Sequence, residues 1–393
     1  MEAFGRPEQP VRRGETAPAG PDGGSPTIGV GIVGLSASGG WAAASHIPAL
    51  ATVDGIELRA LSTSSPDSAR AAGEAFGVPA YASVEELAQD KDVDLVVISV
   101  KVPHHRELIM PALDAGVPVL SEWPLARDLA EAEELARSAR GTRSFVGLQG
   151  QSSPVFRWLA DLVEGGFVGE LLSATLVASF DEWGSPVSEK TRYLLDRRLG
   201  ATMLTIAVGH ALDWVSMVVG EPEELMATTA TRRTSVPLGS SGQLVPMTAE
   251  DQIAVSATLP NGAVLSAHHR GKTATGPGFS LLIDGTEGTL EITAPMHPHI
   301  SRVTVRGVHG RGRPVELSLP EGYDKYPHLT GTGIHNLAHS YAAIRDDLRH
   351  GTNTAPDFEH GVRRHRLLDA ITRSAATGRR VTVNAPSTQT DNR

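Results

Sequence analysis

The stretch from Ile28 to Leu50 constrains the fold more than any other part of the chain. It begins with a short apolar run at 28–35, passes through small residues at 36–40, and continues as an alanine-rich segment of helical composition. A buried strand, a tight turn and a helix N-terminus in this order leave backbone N–H groups at the positive end of the helix dipole, where anions bind. The usual ligand is a pyrophosphate when such a unit opens an alternating strand–helix pattern. The alternative is a glycine-rich turn without a nucleotide.

Two overlapping glycine patterns occupy this stretch, and only one of them suits a strand-to-helix turn. Gly29-x-Gly31-x-x-Gly34 lies largely inside the strand, where its glycines cannot form a turn. We therefore predict the turn in Gly34-x-Ser36-x-x-Gly39, with Gly34 making the bend and Gly39 permitting close packing of helix on strand. Ser36 replaces the middle glycine, so the backbone is expected to approach the phosphates less closely.

Length and composition narrow the class of protein. A chain of 393 residues predicts about two domains. A net charge of −10 gives no support for a nucleic-acid partner. The absence of cysteine excludes disulfides and thiolate zinc sites, and it fits a reducing, cytoplasmic location. No apolar run approaches the ~18 residues of a membrane span, so we expect no membrane partner.

The order of sequence patterns predicts two folded domains between two disordered tails. Residues 1–26 and 386–393 carry no apolar periodicity and are predicted to be disordered. Strand and helix signals alternate through 27–150, which predicts a doubly wound parallel sheet. Alternating strands dominate 151–385, which predicts an α+β domain whose large, mainly antiparallel sheet has one face covered by helices.

Spaced motifs along 27–385 resemble one known family. They are Asp94–Ile98 continuing to His105, Glu122-Trp123-Pro124, 165–171, Gly209–Asp213 and 284–288. In this order they resemble the fourth strand with its histidine loop, the E-K-P motif, the entry to the second domain, the G-x-H-x-x-D region and the G-x-x-G turn of the Gfo/Idh/MocA family. The resemblance implies an N-terminal Rossmann domain at 27–150, an open-faced substrate and oligomerisation domain at 151–385, a nicotinamide nucleotide, and a homodimer or homotetramer.

Four stretches narrow the resemblance to the Gal80-like branch of that family. They are Gly34–Trp41, His46–Ala49, Glu122-Trp123 and 148–154. The namesake of this branch is a transcriptional regulator that binds a nicotinamide nucleotide. The resemblance therefore implies nucleotide binding more directly than it implies turnover.

The family's usual proton-transfer residues are partly missing. The resemblance places the catalytic Lys of E-K-P at Trp123 and the family Asp at Ile206, and only His210 remains. An indole cannot exchange a proton at neutral pH. The Trp123–Pro124 peptide bond is expected to be cis, as it commonly is in the family.

Three residues are candidates for the missing chemistry. Lys101 follows the predicted fourth strand at the ligand end of the sheet, so we predict it as the proton donor. His210 is predicted as its partner and Tyr193 as the reserve donor. The alternatives are a solvated surface lysine, a packing tyrosine and a core histidine that bonds Asp213 or the backbone.

The end of the second strand bears on the choice of cofactor. NAD-specific folds place a carboxylate there, whereas this chain has Ser62–Ser65, with Arg70 one helical turn further on. We therefore predict NADP, with NAD possible; alternatively these hydroxyls only cap the helix that begins at Pro66. The predicted cofactor contacts are Gly34, Ser36, Ala37, Gly39, Trp41, Thr63, Ser64, Val100, Lys101, His105, Glu122, Trp123 and Gln149.

We interpret the histidine pairs and the basic run as structural features and not as binding sites. His104-His105, His268-His269 and His297-Pro298-His299 show no spaced ligand set, so they are expected on the surface or in loops, and no metal site is predicted. Residues 363–366 are expected to form a solvated helix face, and the alternative is that this face lies against the first domain.

These observations favour an NAD(P)-dependent oxidoreductase that acts on a carbonyl or hydroxyl of a sugar or sugar-like small molecule. Two hypotheses stay open beside it. One is a nucleotide-binding regulator without turnover, and the other is a non-redox enzyme that uses the cofactor transiently.

Overall fold

The computed structural model describes residues 26–384. The two tails predicted to be disordered, 1–26 and 386–393, lie outside these residues, apart from Pro26.

The first domain is a six-stranded parallel sheet in the order β3-β2-β1-β4-β5-β6. Its strands are β1 (Ile28–Val33), β2 (Ile56–Ser62), β3 (Ala80–Tyr81), β4 (Leu95–Ile98), β5 (Val119–Glu122) and β6 (Ser144–Gly147). Its helices are α1 (Ile47–Thr52), α2 (Pro66–Phe76), α3 (Val84–Ala88), α4 (His105–Asp114) and α5 (Leu129–Ser138). Every residue of β1 and β4 is buried, because helices cover both faces of the sheet. The strand order reverses between β1 and β4, and ligands of such sheets bind at this point. The predicted Rossmann domain is confirmed.

The second domain contains a nine-stranded sheet in the order β16-β15-β14-β13-β7-β12-β11-β8-β17. Strands β7 and β12 run parallel, and the other neighbours are antiparallel. The strands are β7 (Leu171–Phe180), β8 (Glu224–Ala230), β9 (Ser235–Leu238), β10 (Gln243–Pro246), β11 (Gln252–Thr258), β12 (Val264–Gly271), β13 (Gly278–Gly285), β14 (Gly288–Ala294), β15 (Thr304–His309), β16 (Val315–Glu316) and β17 (Val381–Thr382). The hairpin β9–β10 lies outside this sheet and was not predicted.

Helices cover one face of the large sheet, as the sequence predicts. The helices in this part of the chain are α6 (Pro154–Glu164), α7 (Gly209–Val219), α8 (His335–His350) and α9 (Phe358–Thr377). Trp214 of α7 packs on Phe279 of β13, with ring centroids 5.6 Å apart. Ser374 of α9 accepts the backbone N–H of Ala227 in β8. The opposite face is open.

Helix α8 packs on the first domain. Leu337, Ala338 and Tyr341 belong to the same buried cluster as residues of β1 and α1. The sequence places 334–349 within the second domain, and the boundary at 150/151 stays a prediction. The contact matters for the site, since it brings a helix from the end of the chain against the segment that follows the glycine turn.

Two segments predicted as ordinary α-helix begin with a π-helical turn. One follows the glycine turn at Ala42–His46, and the other precedes α7 at Met203–Val208. A π-helical turn leaves backbone carbonyls outside the regular i to i−4 pattern, and such turns are frequent near functional sites. Thr202 starts the second one through a reciprocal capping box with Thr205.

Candidate functional site

The turn after β1 has the predicted register, but its second glycine has a different role from the one predicted. Gly34 has a φ of +91°, and a Cβ there would collide with the Ser99 carbonyl and lie 2.7 Å from Val100 Cγ1. Gly39 also has a positive φ, of +90°, yet a Cβ there would meet no atom within 4 Å. Gly39 is therefore required for backbone conformation and not for close helix–strand packing. The helical segment starts after Gly40, too far on for Gly39 to contact the strand.

The turn itself consists of small residues that are half-buried or exposed, and unpaired polar atoms occur elsewhere in the same domain. Ala37 is exposed, and the hydroxyls of Ser36 and Ser38 lie 2.9 Å apart. Trp41 Nε1 and Gln149 Oε1 are buried and have no hydrogen-bond partner within residues 26–384. Unpaired buried polar atoms are costly, so the unpaired Nε1 of Trp41, directly after an anion-binding turn, fits a bound dinucleotide.

The hydroxyls at the end of β2 contact one another and the start of α2. Ser65 caps α2 by accepting the N–H of Ser68, and Thr63 Oγ1 lies 2.7 Å from Ser68 Oγ. The alternative that the hydroxyls of 62–65 cap this helix is therefore correct for Ser65. Ser64 is exposed and Thr63 is half-buried, and Arg70 pairs with Asp67 rather than pointing back to Thr63.

A carboxylate, an imidazole and a phenol link three parts of the chain beside the turn. Glu122 Oε1, at the end of β5, lies 2.9 Å from His46 Nε2. His46 Nδ1 lies 2.6 Å from the Tyr341 hydroxyl on α8. Both His46 and Tyr341 are fully buried, and burial raises the pKa of Tyr341 well above its usual value. The sequence marked Glu122 but not Tyr341, since no local pattern connects residues so far apart.

His105 joins two loops at the carboxyl end of the sheet. Its Nε2 lies 3.2 Å from the Val100 carbonyl, and its Nδ1 lies 3.2 Å from the Leu125 carbonyl. The side chain is 1% exposed, and burial lowers its pKa. A neutral ring carries one N–H, so His105 donates to one of these two carbonyls and packs against the other, between the loop after β4 and the loop after β5. Its predicted contact with the cofactor stays a prediction.

Trp123, which replaces the family lysine, points into the interior. Its Nε1 donates to the Thr205 carbonyl at 2.8 Å, on the π-helical turn before α7. Its ring packs on His365 with a centroid distance of 4.8 Å. A Cβ at Gly209 would lie 2.7 Å from Trp123 Nε1, so glycine is needed there for the indole to fit. These contacts give the indole a packing role, and its predicted contact with the cofactor stays a prediction. The Trp123–Pro124 bond is cis, as expected.

Lys101 and Tyr193 come together, although they lie far apart in the sequence. Lys101 Nζ lies 4.9 Å from the centroid of the Tyr193 ring. Tyr193 is half-buried, and this burial raises the pKa of its hydroxyl. Lys101 is exposed, so the partial desolvation that favours a lysine proton donor is not present around it.

His210 belongs to a buried group of histidines that sequence reasoning missed. Its ring stacks on His299 at 3.9 Å, and His299 lies 5.6 Å from His297. His297 stacks on Phe180, which also packs against His269. The prediction that 268–269 and 297–299 lie on the surface or in loops is wrong for His269, which is a buried residue of β12. His297 and His299 do lie in the loop after β14, but both are buried. Only the alternation along β12, which turns His268 outward and His269 inward, could have signalled this.

The electrostatics of this group follow from burial. Burial lowers the pKa of His210 to about 4, although the carboxylates of Asp213 and Glu122 act in the opposite direction. Burial also lowers the pKa of His269 to about 3 and that of His299 well below its usual value. These imidazoles are therefore neutral at pH 7. His297 alone faces a carboxylate, with its Nε2 3.6 Å from Glu182 Oε1.

The Asp213 carboxylate pairs with residues of α9 and not with His210. Its Oδ1 lies 2.6 Å from His360 Nε2 and 3.8 Å from Arg364 Nε on α9. Arg364 is buried and also pairs with Glu221. His365 is buried too, and burial lowers its pKa to about 4. The prediction of a solvated face at 363–366 is therefore wrong for two of its four residues, because α9 packs between the sheet and the first domain.

Comparison with known families agrees with this architecture. The family described as an oxidoreductase family with an NAD-binding Rossmann fold matches residues 28–149, and the family described as the Gal80p C-terminal domain matches residues 154–294. The chain belongs to the Gfo/Idh/MocA oxidoreductase family and, by its second domain, is Gal80-like. The dehydrogenase aclE of Aspergillus oryzae is 32% identical over 379 residues, covering 90% of this chain and 98% of its own.

Solved structures agree with the fold. A super-repressor mutant of Gal80p from Saccharomyces cerevisiae superposes with a TM-score of 0.80 at 23% identity, over 91% of this chain and 98% of its own. A levoglucosan dehydrogenase in complex with NADH and levoglucosan gives a TM-score of 0.77 at 21% identity, over 91% and 99%. No helix within residues 26–384 is both long and apolar enough to cross a membrane.

Proposed function

We propose that the protein is an NAD(P)-dependent dehydrogenase acting on a hydroxyl or carbonyl of a carbohydrate-like molecule. The observation that carries the proposal is the group of buried neutral imidazoles around His210, whose pKa the carboxylates of Asp213 and Glu122 also influence. Such a group has no evident purpose in a domain that only packs, because each buried imidazole loses solvation.

His269 supplies the sharpest sign of a ligand. Its side chain is fully buried, and neither ring nitrogen has a hydrogen-bond partner within residues 26–384. Leaving such groups unpaired costs on the order of 1–3 kcal/mol. Hydroxyl groups, which both donate and accept, are suitable partners for a neutral imidazole. A polyhydroxylated substrate therefore suits His210, His269 and His299.

Tyr193 is the best-placed proton donor of the three predicted residues. Burial keeps its hydroxyl protonated at neutral pH, and the ammonium of Lys101 over its ring favours the phenolate that forms when the proton leaves. When bound, a nicotinamide supplies the hydride acceptor or donor. Tyr193 would give its proton to a substrate carbonyl during reduction and recover it during oxidation, with Lys101 in support. We therefore propose Tyr193 as the donor and Lys101 as its support, which is the reverse of the order predicted from the sequence.

For the cofactor we propose NADP in preference to NAD. The support is the end of β2, where Thr63 and Ser64 stand and no carboxylate opposes a 2′-phosphate. Titration of both nucleotides tests this, and Thr63→Asp should shift the preference towards NAD through charge repulsion. Equal affinities in the wild type would contradict the proposal.

The test of turnover uses two adjacent histidines. Reduced nicotinamide formation would be followed with aldoses, polyols and anhydrosugars, first with the wild type. His269→Asn should raise KM about five- to tenfold, since one lost hydrogen bond is worth roughly 1–1.5 kcal/mol. His268→Asn is the matched control, because this half-exposed neighbour lies on the other face of β12. Equal effects of the two changes would contradict the proposed substrate contact.

A regulator that binds nucleotide without turnover is the second candidate. Two observations favour it: the match to the Gal80p C-terminal domain, and the burial of Trp123 where the family lysine would stand. Tight nucleotide binding together with no turnover across the substrate panel would select this function.

The open sheet face supports assembly as a homodimer or homotetramer. Val177, Met226 and Val264 share this face by strand register, and they are 39%, 47% and 49% exposed. Exposed apolar sheet of this kind commonly marks an interface. Light scattering at micromolar concentration tests it, and a monomer would contradict the proposal.

A further inference from the structure

Three side chains at the start of α8 converge away from the proposed active site. His335 and His339 are one helical turn apart, and Asp324 lies in the loop that follows β16. Nε2 of His335 and Nε2 of His339 lie 2.9 and 3.0 Å from the same oxygen, Asp324 Oδ1. All three ligand atoms lie within 4.8 Å of one another. We propose that these residues form a binding site for a divalent transition-metal ion of the zinc type.

The separations suit ligands of a common ion. With metal–ligand bonds of about 2.0–2.1 Å, two ligand atoms stand about 2.9 Å apart at a right angle and about 3.4 Å apart in a tetrahedron. The observed distances from Asp324 to the two histidines therefore need a change of only about 0.4 Å to reach tetrahedral geometry. Histidines at i and i+4 on one helix face are a recurrent zinc-binding arrangement.

The donor set also defines the kind of metal. Two imidazoles and one carboxylate suit zinc and its neighbours in the first transition row, whereas calcium and magnesium prefer oxygen ligands alone.

The surroundings hold the ligands in place and leave one side open. The backbone N–H of Tyr326 donates to Asp324 Oδ1 at 2.9 Å, and the Tyr326 ring packs edge-on against His339. The three ligand side chains are only 8–9% exposed. This narrow opening leaves a position for water as the fourth ligand, since three protein ligands leave a tetrahedral ion incomplete.

Because the site lies at the start of α8, a bound ion would have a structural effect on this helix. Tyr341 lies two residues after His339 on α8, and its hydroxyl contacts His46, which contacts Glu122. An ion at the start of α8 would tie the long loop before it to this helix. It would thereby support the helix that holds His46 and Glu122, while taking no part in the proposed reaction.

The test uses untagged full-length protein that has been treated with chelator. Zinc titration by calorimetry and elemental analysis should give one zinc per chain, and added zinc should raise the melting temperature. Cobalt should bind in its place with the visible bands of a four- or five-coordinate ion. His339→Ala and Asp324→Asn should each weaken zinc binding by at least about 100-fold, since changes to outer-shell partners alone cost roughly 10–100-fold.

Two variants separate the metal site from a simple hydrogen-bonded tie. Asp324→Asn keeps an oxygen acceptor for both histidines, so without metal it should stay folded while losing the zinc-induced rise in melting temperature. His350→Ala, an exposed histidine at the other end of α8, is the matched control and should bind zinc like the wild type. The proposal is overturned if the wild type binds no stoichiometric zinc, or if Asp324→Asn and His339→Ala retain it. Should His339→Ala unfold, the Asp324→Asn titration and the cobalt spectrum of the wild type decide.

Discussion

Replacing Trp123 by Phe tests whether the indole is structural. The change removes the hydrogen bond from Nε1 to the Thr205 carbonyl and leaves that carbonyl, on a π-helical turn, without this partner. It also removes part of a ring that is 6% exposed and packed against Gly209 and His365. The variant should therefore be less stable for two separable reasons, a lost hydrogen bond and a cavity.

Trp214→Phe isolates the hydrogen-bond contribution. Trp214 is fully buried and stacks on Phe156 at 4.0 Å, but its Nε1 has no partner within residues 26–384. Both substitutions create a similar cavity, whereas only Trp123→Phe leaves a buried acceptor unpaired. An unpaired buried group costs about 1–3 kcal/mol, so Trp123→Phe should lower the free energy of unfolding by about that much more than Trp214→Phe does.

The assay is urea unfolding followed by far-ultraviolet circular dichroism, which does not depend on tryptophan fluorescence. Equal losses of stability in the two variants would refute the reasoning, because the hydrogen bond to Thr205 would then contribute nothing. If Trp123→Phe is as stable as the wild type but binds nucleotide with a different affinity, the indole would instead be assigned to the cofactor site.

Three further predictions concern the glycine turn, pH and the proton donor. Gly34→Ala should destabilise the fold and abolish nucleotide binding, because a Cβ there collides with the next strand end, whereas Gly39→Ala should cost only the strain of its φ, roughly 1 kcal/mol; melting curves and nucleotide titration compare them. Stability should fall as pH drops from about 6.5 to about 4, because burial lowers the folded-state pKa of His210 and His365 to about 4 and the unfolded chain binds those protons first; unfolding midpoints that do not change over this range would contradict it. Tyr193→Phe should cut turnover by roughly 10²–10⁴-fold with nucleotide affinity unchanged, whereas Lys101→Met should lower turnover by less, because Lys101 only favours the phenolate; weaker NADP binding with normal turnover would make Lys101 a phosphate ligand.

Local pattern was enough to predict most of the secondary structure. The signals for α2, α9 and β7 are all local: Pro66 after a capping serine, a 20-residue amphipathic run, and alternation through the middle of the strand. The register of the glycine turn was also predictable, because only a glycine after the buried run permits the positive φ.

Side-chain direction was harder to predict than backbone path. In the sequence, a tryptophan in the place of a lysine indicates a change of chemistry. In the structure, the indole points towards Thr205 and the interior. Whether Arg364 and His365 face solvent depends on what packs against α9, and a run of charges carries no information about that.

Pairings between distant segments were decided by the tertiary structure alone. Asp324 meets His335 and His339 because a loop folds back on α8, and His299 meets His210 because a loop after β14 reaches the start of α7. Burial and proximity of this kind depend on the whole chain, and they set which imidazoles are neutral. The sequence by itself therefore determined the fold class, most of the strands and the turn that suits a dinucleotide. The chemistry of the histidines was decided only when the two sheets and α8 packed together.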